Sequence, residues 1–337
     1  MTAEQILIIL KKSSDFVSGE LISEELKLSR TAVWKAINKL KSKGYMIESI
    51  PHRGYRLVSS ADVLSKNELH PLCHTKMIGN HIVYFESCSS TNDEAKIGDL
   101  HGDEEGTVYI TDLQTKGRGR MGRDWHNQEK AGVALSILLK PVISPSQILP
   151  VSLLAGLSVC KALEEVTGLP CQVKWPNDVI VNGKKIAGIL IEMSTVGEMV
   201  QYIVLGIGVN CNNSSFPQEI TSKATSILIE TGMPFPRKQL VCKILENFEN
   251  DYFKWVEELD ESKSRSLNAI PPSYLNEYKS RCINIGHEVV VHQKDLTFNG
   301  IATDITLDGE LLVTLPYGDE RVVLSGEVSV RGIYGYV

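Results

Sequence analysis

Three arginines and three glycines interleave over seven residues, Gly117, Arg118, Gly119, Arg120, Met121, Gly122 and Arg123. Glycine lets backbone approach a ligand closely. Arginine presents forked donors that match carboxylate and phosphate oxygens. The spacing also satisfies G-x-G-x-x-G, the dinucleotide-binding fingerprint, but that motif needs a helix directly after the glycines. Here "TVYITD" (107–112) precedes as a strand, "RDWHNQEKAG" follows without an apolar stripe at helical spacing, and "VALSILLK" resumes as a strand. The motif also holds pyrophosphate with backbone N–H groups, not arginines. Two readings remain: a basic surface loop, or a loop that folds over a polyanion.

Three other stretches carry chemistry. In "ESCSSTNDEAK" (86–96) Ser89, Ser90, Thr91 and Asn92 crowd a strand-to-helix turn. They either cap the helix or grip a polar ligand group. Gln114 stands just before the arginine loop. In "VKWPNDVIVNGKKIAGILIE" (173–192) a strand is broken by Pro176, and Asn182-Gly183 suits a type I′ hairpin turn. Lys174, Trp175 and Asp178 lie at one end of that hairpin, Lys184 and Lys185 at the other. Lysines at a hairpin tip are ordinarily solvated, whereas Gly188, three residues on, would let a ligand approach. "YIVLGIGVNCN" reads as an apolar strand with two glycines, ending at Asn210.

The elements that must position these residues are strands rich in valine and isoleucine with helices between them. "PVSLLAGLSVCKALEEVTG" is the clearest helix, and the central region is a mixed α/β domain with no Walker A sequence. Arginines on a glycine-rich loop and a lysine on a hairpin fit a site that stabilises phosphoryl-transfer charge. Residues 235–280 read as mostly helical. The stretch from "INIGHEVVV" onward alternates short strands with "DG" and "YGDE" turns, as in a small SH3-like β-barrel.

The first sixty residues are a different module. The chain carries −6 overall, yet residues 1–58 hold ten Lys/Arg against six Asp/Glu. "AEQILIILKK" and "ISEELKL" read as helices, the second with Ser23 as N-cap. "SRTAVWKAINKLKSKG" is a third, capped by Ser29, with Val33, Ile37 and Leu40 on its apolar face and Gly44 as its stop. A hairpin, "YMIESI-PHRG-YRLV", follows as a wing. This order, with the basic charge, predicts a winged helix-turn-helix that binds DNA through Arg30, Thr31, Lys35, Asn38, Lys39 and Arg53. A single unit predicts a dimer on a two-fold symmetric site.

No apolar run in the sequence reads as a membrane span, and the order of charge and apolar residues at the N-terminus is wrong for a signal peptide. We expect a cytoplasmic protein. Most of the seven cysteines are expected reduced and buried, and no structural metal site is expected.

"GRGRMGRDW", "KWPND" and "GKKIAGILIE", in that order behind a winged helix, resemble the bifunctional biotin protein ligase and biotin operon repressor family over essentially the whole chain. Met121 departs from members that carry another basic residue there. The resemblance implies a class II synthetase-like catalytic domain at 75–272, a winged helix at 1–62 and an SH3-like domain at 282–337. It implies that biotin and ATP form biotinyl-5′-AMP, with Mg²⁺ assisting. Biotin then passes to a lysine of the biotin carboxyl-carrier domains of acetyl-CoA carboxylase and pyruvate carboxylase type enzymes. Carried over by motif, Ser90, Thr91 and Asn92 hold the ureido end of biotin, and Gln114 contacts the ligand. Arg118, Gly119 and Arg120 wrap its carboxylate and the phosphate. Lys185 neutralises the reacting groups, and Gly188 leaves backbone room. Arg123, Trp125 and Asn210 face the nucleotide. Asp178 is the candidate for orienting or deprotonating the acceptor amine. A homodimer formed by the adenylate-bound protein would bind operator DNA, pairing through a strand edge within residues 188–206. Two alternatives stay open: a ligand sensor without catalysis, and an acyl transferase using lipoate.

Overall fold

The computed structural model describes residues 2–262, 270–293, 296–325 and 329–332. It divides into two compact units, Met1–Leu72 and Cys73–Val337.

In the first unit, α1 (Thr2–Lys12), α2 (Gly19–Leu26) and α3 (Arg30–Ser42) precede the hairpin β1 (Met46–Ile50) and β2 (Gly54–Ser59), and α4 is one turn, Lys66–Leu69. The core is built from Ile6, Leu10, Ile22, Val33, Ile37 and Leu40, so the apolar stripe of α3 is its inward face. Ser29 caps α3 by accepting from the Ala32 N–H at 3.2 Å, and Gly44 follows in the left-handed region at φ +94°. Ser23 is not the cap of α2. The helix starts three residues before the expected segment, and Ser18 caps it from 3.0 Å, leaving Ser23 inside to bond back to the Gly19 carbonyl. A serine four residues into a helix can satisfy itself in this way.

The second unit is built on a seven-stranded sheet. Its elements run β3 (Ile82–Phe85), α5 (Thr91–Leu100), β4 (Val108–Thr111), β5 (Gly132–Leu139), α6 (Ile148–Thr167), β6 (Gln172–Lys174), β7 (Asp178–Val181), β8 (Lys184–Val196) and β9 (Met199–Asn210). The spatial order is β3-β4-β5-β9-β8-β7-β6, parallel only between β3 and β4. Then come α7 (Ile227–Thr231), α8 (Arg237–Ser262) and α9 (Pro272–Arg281). Ala95 of α5 packs on Tyr109, Leu138 and Val204 of the central strands, which seats that helix over the sheet. The stretch Pro145–Thr167 is long and apolar enough to cross a membrane by composition, a point the sequence reading passed over. It is largely buried, and α6 packs against α8 as a core helix.

Asn182 and Gly183, at φ 47° and 74°, make the expected turn between β7 and β8. Strand β7 covers β8 only from Lys184 to Gly188, so the part of β8 beyond Ile189 has a strand neighbour on one side alone. Residues 203–206 of β9 pair on both sides, with β8 and β5, and offer no edge. This narrows the edge expected within 188–206.

A small antiparallel sheet closes the described chain: β10 (Glu288–His292), β11 (Thr297–Ile305), β12 (Leu311–Thr314), β13 (Glu320–Val323) and β14 (Ser329–Gly332), in the order β13-β12-β11-β10-β14. Residues 333–337 of the expected third domain lie outside the described residues. Five cysteines are free, four of them buried, while Cys73 and Cys242 are joined as a disulfide. That pair was invisible in sequence because 169 residues separate its members.

Candidate active site and nucleic-acid interface

A cleft opens on the sheet, lined by residues of α5, β5, β8 and β9 and of the arginine loop. Its neutral end is built where the N-terminus of α5 meets β5. Ser90, Thr91, Asn92 and Ser136 are all nearly fully buried. The Thr91 N–H donates to Gln114 Oε1 at 2.8 Å, and its hydroxyl does so at 3.1 Å. Ser136 Oγ lies 2.7 Å from Thr91 Oγ1 and 2.5 Å from Asn92 Oδ1. Asn92 Nδ2 donates to Glu192 of β8 at 2.7 Å, and Lys96 neutralises Glu192 from 2.7 Å. Ser90 occupies the N-cap position of α5 yet makes no side-chain cap bond, so its hydroxyl is not committed to capping. Gly206 of β9 is required here, because a Cβ on it would run into Asn92 Oδ1.

The charged end is built by the arginine loop. The loop folds back on itself: the Gly119 N–H donates to the Arg123 carbonyl at 2.7 Å and the Trp125 N–H to that of Gly117 at 2.9 Å. No helix follows the glycines, only a short 3-10 turn at Arg120–Gly122. Arg118 forks onto Asp93 of α5 at 2.8 and 2.5 Å. Those bonds hold the Asp93 carboxyl below the usual carboxylate range. Arg120 donates to Asn177 Oδ1 at 3.0 Å and to the Ser325 carbonyl of the C-terminal sheet region. Burial pushes its guanidinium below its ordinary value, while Asp178 pulls it back up. Lys185 of β8 pairs with Asp178 of β7 at 2.6 Å.

Trp125 lies over the floor of the cleft, with Lys185 Nζ 5.5 Å from its ring centre. Gly188 and Gly208 face each other across β8 and β9 beneath it. A Cβ on Gly208 would come within 2.6 Å of the indole, so glycine is what admits the ring. Cys88, whose backbone pairs with Gln114, has its thiol pushed up to about 11 by burial and stays protonated at neutral pH. It therefore supplies no thiolate nucleophile.

The profile of the biotin/lipoate A/B protein ligase family matches residues 84–210, that of an HTH domain residues 2–56, and that of the biotin protein ligase C-terminal domain residues 285–331. The bifunctional ligase/repressor BirA of Bacillus subtilis is 34% identical over 319 residues, covering 94% of this chain and 95% of the relative. The chain belongs to the bifunctional biotin protein ligase family. Its relative in Escherichia coli, also named bifunctional ligase/repressor BirA, is 27% identical over 96% of both chains. The biotin protein ligase from Aquifex aeolicus, solved with biotin and ATP, superposes with a TM-score of 0.61 at 31% identity, covering 75% of this chain and 99% of that one.

Within this biotin-ligase-family chain, Ser90, Thr91, Asn92, Gln114, Arg118, Gly119, Arg120, Trp125, Lys185 and Gly188 all line the one cleft. Three expected residues do not. Asp178 stands behind Lys185 as its ion-pair partner. Arg123 is exposed and ends the 3-10 turn of the loop. Asn210 is buried and donates to the Thr225 carbonyl at 3.1 Å, which gives it a bond inside the fold. Ser136, Glu192 and Asn177 escaped the sequence reading. The lone hydroxyl inside the fully buried strand β5 was the available signal for Ser136. His70 and His74 stand four residues apart, a ligand-like spacing the sequence reading missed, but α4 ends at Leu69 before either. Among the described residues no three His, Cys, Asp or Glu side chains converge.

In the first unit, Arg30, Thr31, Lys35 and Lys39 are exposed on α3 and Asn38 is half-buried. Arg30 pairs with Glu20 of α2 at 2.6 Å. Arg53, in the β1–β2 turn, stacks 4.5 Å over the Phe16 ring and stands 3.5 Å from Asp15. Trp34 is 57% exposed on α3, one turn after Arg30 and off the apolar stripe; the sequence reading did not single it out.

Proposed function

We propose that this protein joins biotin to ATP as biotinyl-5′-AMP, transfers biotin to a lysine of biotin carboxyl-carrier domains, and as an adenylate-bound homodimer represses transcription at a biotin operator. One observation carries the ligase reading. A single cleft joins a neutral end of buried hydroxyl and amide groups to an end bearing Lys185 and Arg120. The first matches a ureido ring, the second a carboxylate meeting a phosphate.

In the first step a biotin carboxylate oxygen bonds to the α-phosphorus and the bond to the bridging oxygen breaks, pyrophosphate leaving with the electron pair. Such transfer needs positioning and charge stabilisation more than covalent help. Lys185 exchanges Asp178 for the reacting oxygens, and Arg120 faces the same charge. In the second step the acceptor amine attacks the acyl carbon, AMP leaves, and the amine gives up its proton. Asp178, released from Lys185, is positioned to orient that amine or accept the proton. The loop excludes water from the anhydride.

Any Mg²⁺ would be held by the phosphates of ATP and would neutralise part of their charge. Asp178, Asp93 and Glu192 each already face a cation, and Mg²⁺ ordinarily rides on substrate phosphates with few protein carboxylates. The half of β8 beyond Ile189 is the strand edge we assign to the homodimer, and a carrier domain competing for it would link biotin demand to repression. ATP and carrier domains put this chemistry in the cytoplasm.

The test is pyrophosphate release from ATP with biotin or lipoate, with and without a carrier domain. We expect release with biotin alone and label on the carrier lysine. Tight biotin binding without release would reduce the protein to a sensor. Sedimentation with and without adenylate tests the dimer, and equal association constants would remove ligand-driven pairing.

A further inference from the structure

The loop of residues 113–131 brings Arg118, Arg120 and Trp125 to the cleft, yet most of its side chains are exposed. Few apolar contacts of its own fix it, so its conformation depends on how its ends are held. It leaves the sheet at Asp112, just after β4, and returns at Gly132, the first residue of β5.

Both ends meet one side chain, Arg237, the first residue of α8. Arg237 Nη1 lies 2.9 Å from Asp112 Oδ1 and donates to the Gly132 carbonyl at 3.1 Å. Tyr84 of β3 donates its hydroxyl to the other Asp112 oxygen at 2.6 Å, and the Lys130 N–H donates to the Asp112 carbonyl at 3.1 Å. The side chains of Arg237 and Asp112 are 1% and 2% exposed. Burial beside the acid raises the Tyr84 phenol, so it stays a donor.

Nothing about helix formation asks for this arginine. A cation at a helix N-terminus opposes the macrodipole, and a buried charge is costly unless paired. Its pairing with the two stems of one functional loop accounts for the placement. We infer that Arg237 is a positioning residue for the arginine loop, tying its entry and exit so that Arg120 and Trp125 reach the cleft. The catalytic consequence rests on the adenylate-forming reading above; the hold on the loop does not.

The experiment compares the full-length parent with Arg237→Met, Arg237→Lys and Tyr84→Phe, each at a temperature where circular dichroism shows it folded. Trypsin cuts after the loop's Arg118, Arg120 and Arg123, and dissociation of biotinyl-5′-AMP reads loop retention. For Arg237→Met we expect cleavage at those three sites and adenylate release each to rise about tenfold, the change one lost charged hydrogen bond gives. Arg237→Lys should recover part of this, since an ammonium keeps the charge but not the fork. Tyr84→Phe should raise both rates severalfold but less than Arg237→Met, since it removes one bond to the Asp112 carboxylate while Arg237 still holds both stems. Parent rates in folded Arg237→Met overturn the assignment, as does an equal rise at every tryptic site, which would mean general loosening. If Arg237→Met does not fold, Tyr84→Phe decides: faster loop cleavage supports the tie and parent cleavage overturns it. Should the parent form no adenylate, the cleavage comparison still reads the tie, so the two failures stay distinguishable.

Discussion

The two ends of the cleft are built on opposite plans. At the neutral end, Gln114, Thr91, Ser136, Asn92 and Glu192 bond to one another in an unbroken chain carried by α5, β5 and β8. These groups are held in place before any ligand arrives. At the charged end every cation rests on a group of the protein: Arg118 on Asp93, Arg120 on Asn177, Lys185 on Asp178. A ligand must displace those partners. Recognition is thus set on rigid elements, and reactivity on groups that change partners. Preorganised polar groups discriminate strongly, because a ligand that fails to satisfy them leaves them unpaired. Cations held by carboxylates keep a ligand-free site from standing as an uncompensated positive hole.

The contrast can be broken first at Lys185. Lys185→Met should lower the rate of pyrophosphate release by roughly 100- to 1,000-fold with little change in biotin affinity, the loss typical of one charge-stabilising donor. A comparable loss in biotin affinity would mean that the two ends are not separate in function. Ser136→Ala acts at the other end. It removes the buried hydroxyl that Thr91 and Asn92 share, and an unmade buried bond costs about 1–3 kcal/mol. The expected signature in steady-state kinetics is a biotin KM about tenfold higher with kcat nearly intact. Gly208→Ala should lift Trp125 off the floor and weaken ATP several-fold, at roughly the 1–3 kcal/mol cost of overpacking; an unchanged ATP KM would show that the indole has room to shift.

The smallest effect is at Asp93. Arg118 depresses its folded pKa, so its contribution is present above the unfolded carboxylate value and is lost as pH falls toward the folded one. Urea titrations of the parent and Asp93→Asn should differ by less than about 1 kcal/mol at neutral pH, as for half-exposed pairs, and converge below about pH 4. A gap that persists into acid would assign the effect to something other than this ion pair.

Sequence carried the outline of both plans, unequally. Arg118, Arg120, Trp125 and Lys185 sit in short segments whose composition alone is unusual, so their meeting in one cleft could be anticipated. The winged helix was legible because Val33, Ile37 and Leu40 recur at helical spacing and Gly44 marks the stop. Ser136 was not, since one hydroxyl in an apolar strand has no local signature; its role arises only when α5 docks on β5. Asn210, expected to face the nucleotide, lies outside the cleft lining and donates to the Thr225 carbonyl, a partner that local sequence does not announce. The Asp112–Arg237 pair joins residues far apart in the chain, and local pattern gives no purchase on such partners. Ser23 stood where the cap of α2 was expected, but the helix begins three residues earlier at Gly19, which makes Ser18 the cap.

The glycine floor formed by Gly188 and Gly208 has one more consequence. A wall made of side chains can be trimmed: Leu135, Ile189 or Ile207 could each be shortened to admit a bulkier acid. A floor made of backbone has nothing to remove, and every replacement there adds atoms. Redesign of this protein toward larger substrates therefore has a preferred direction. It must proceed through the aliphatic walls, while the floor sets a minimum thickness that no substitution can reduce.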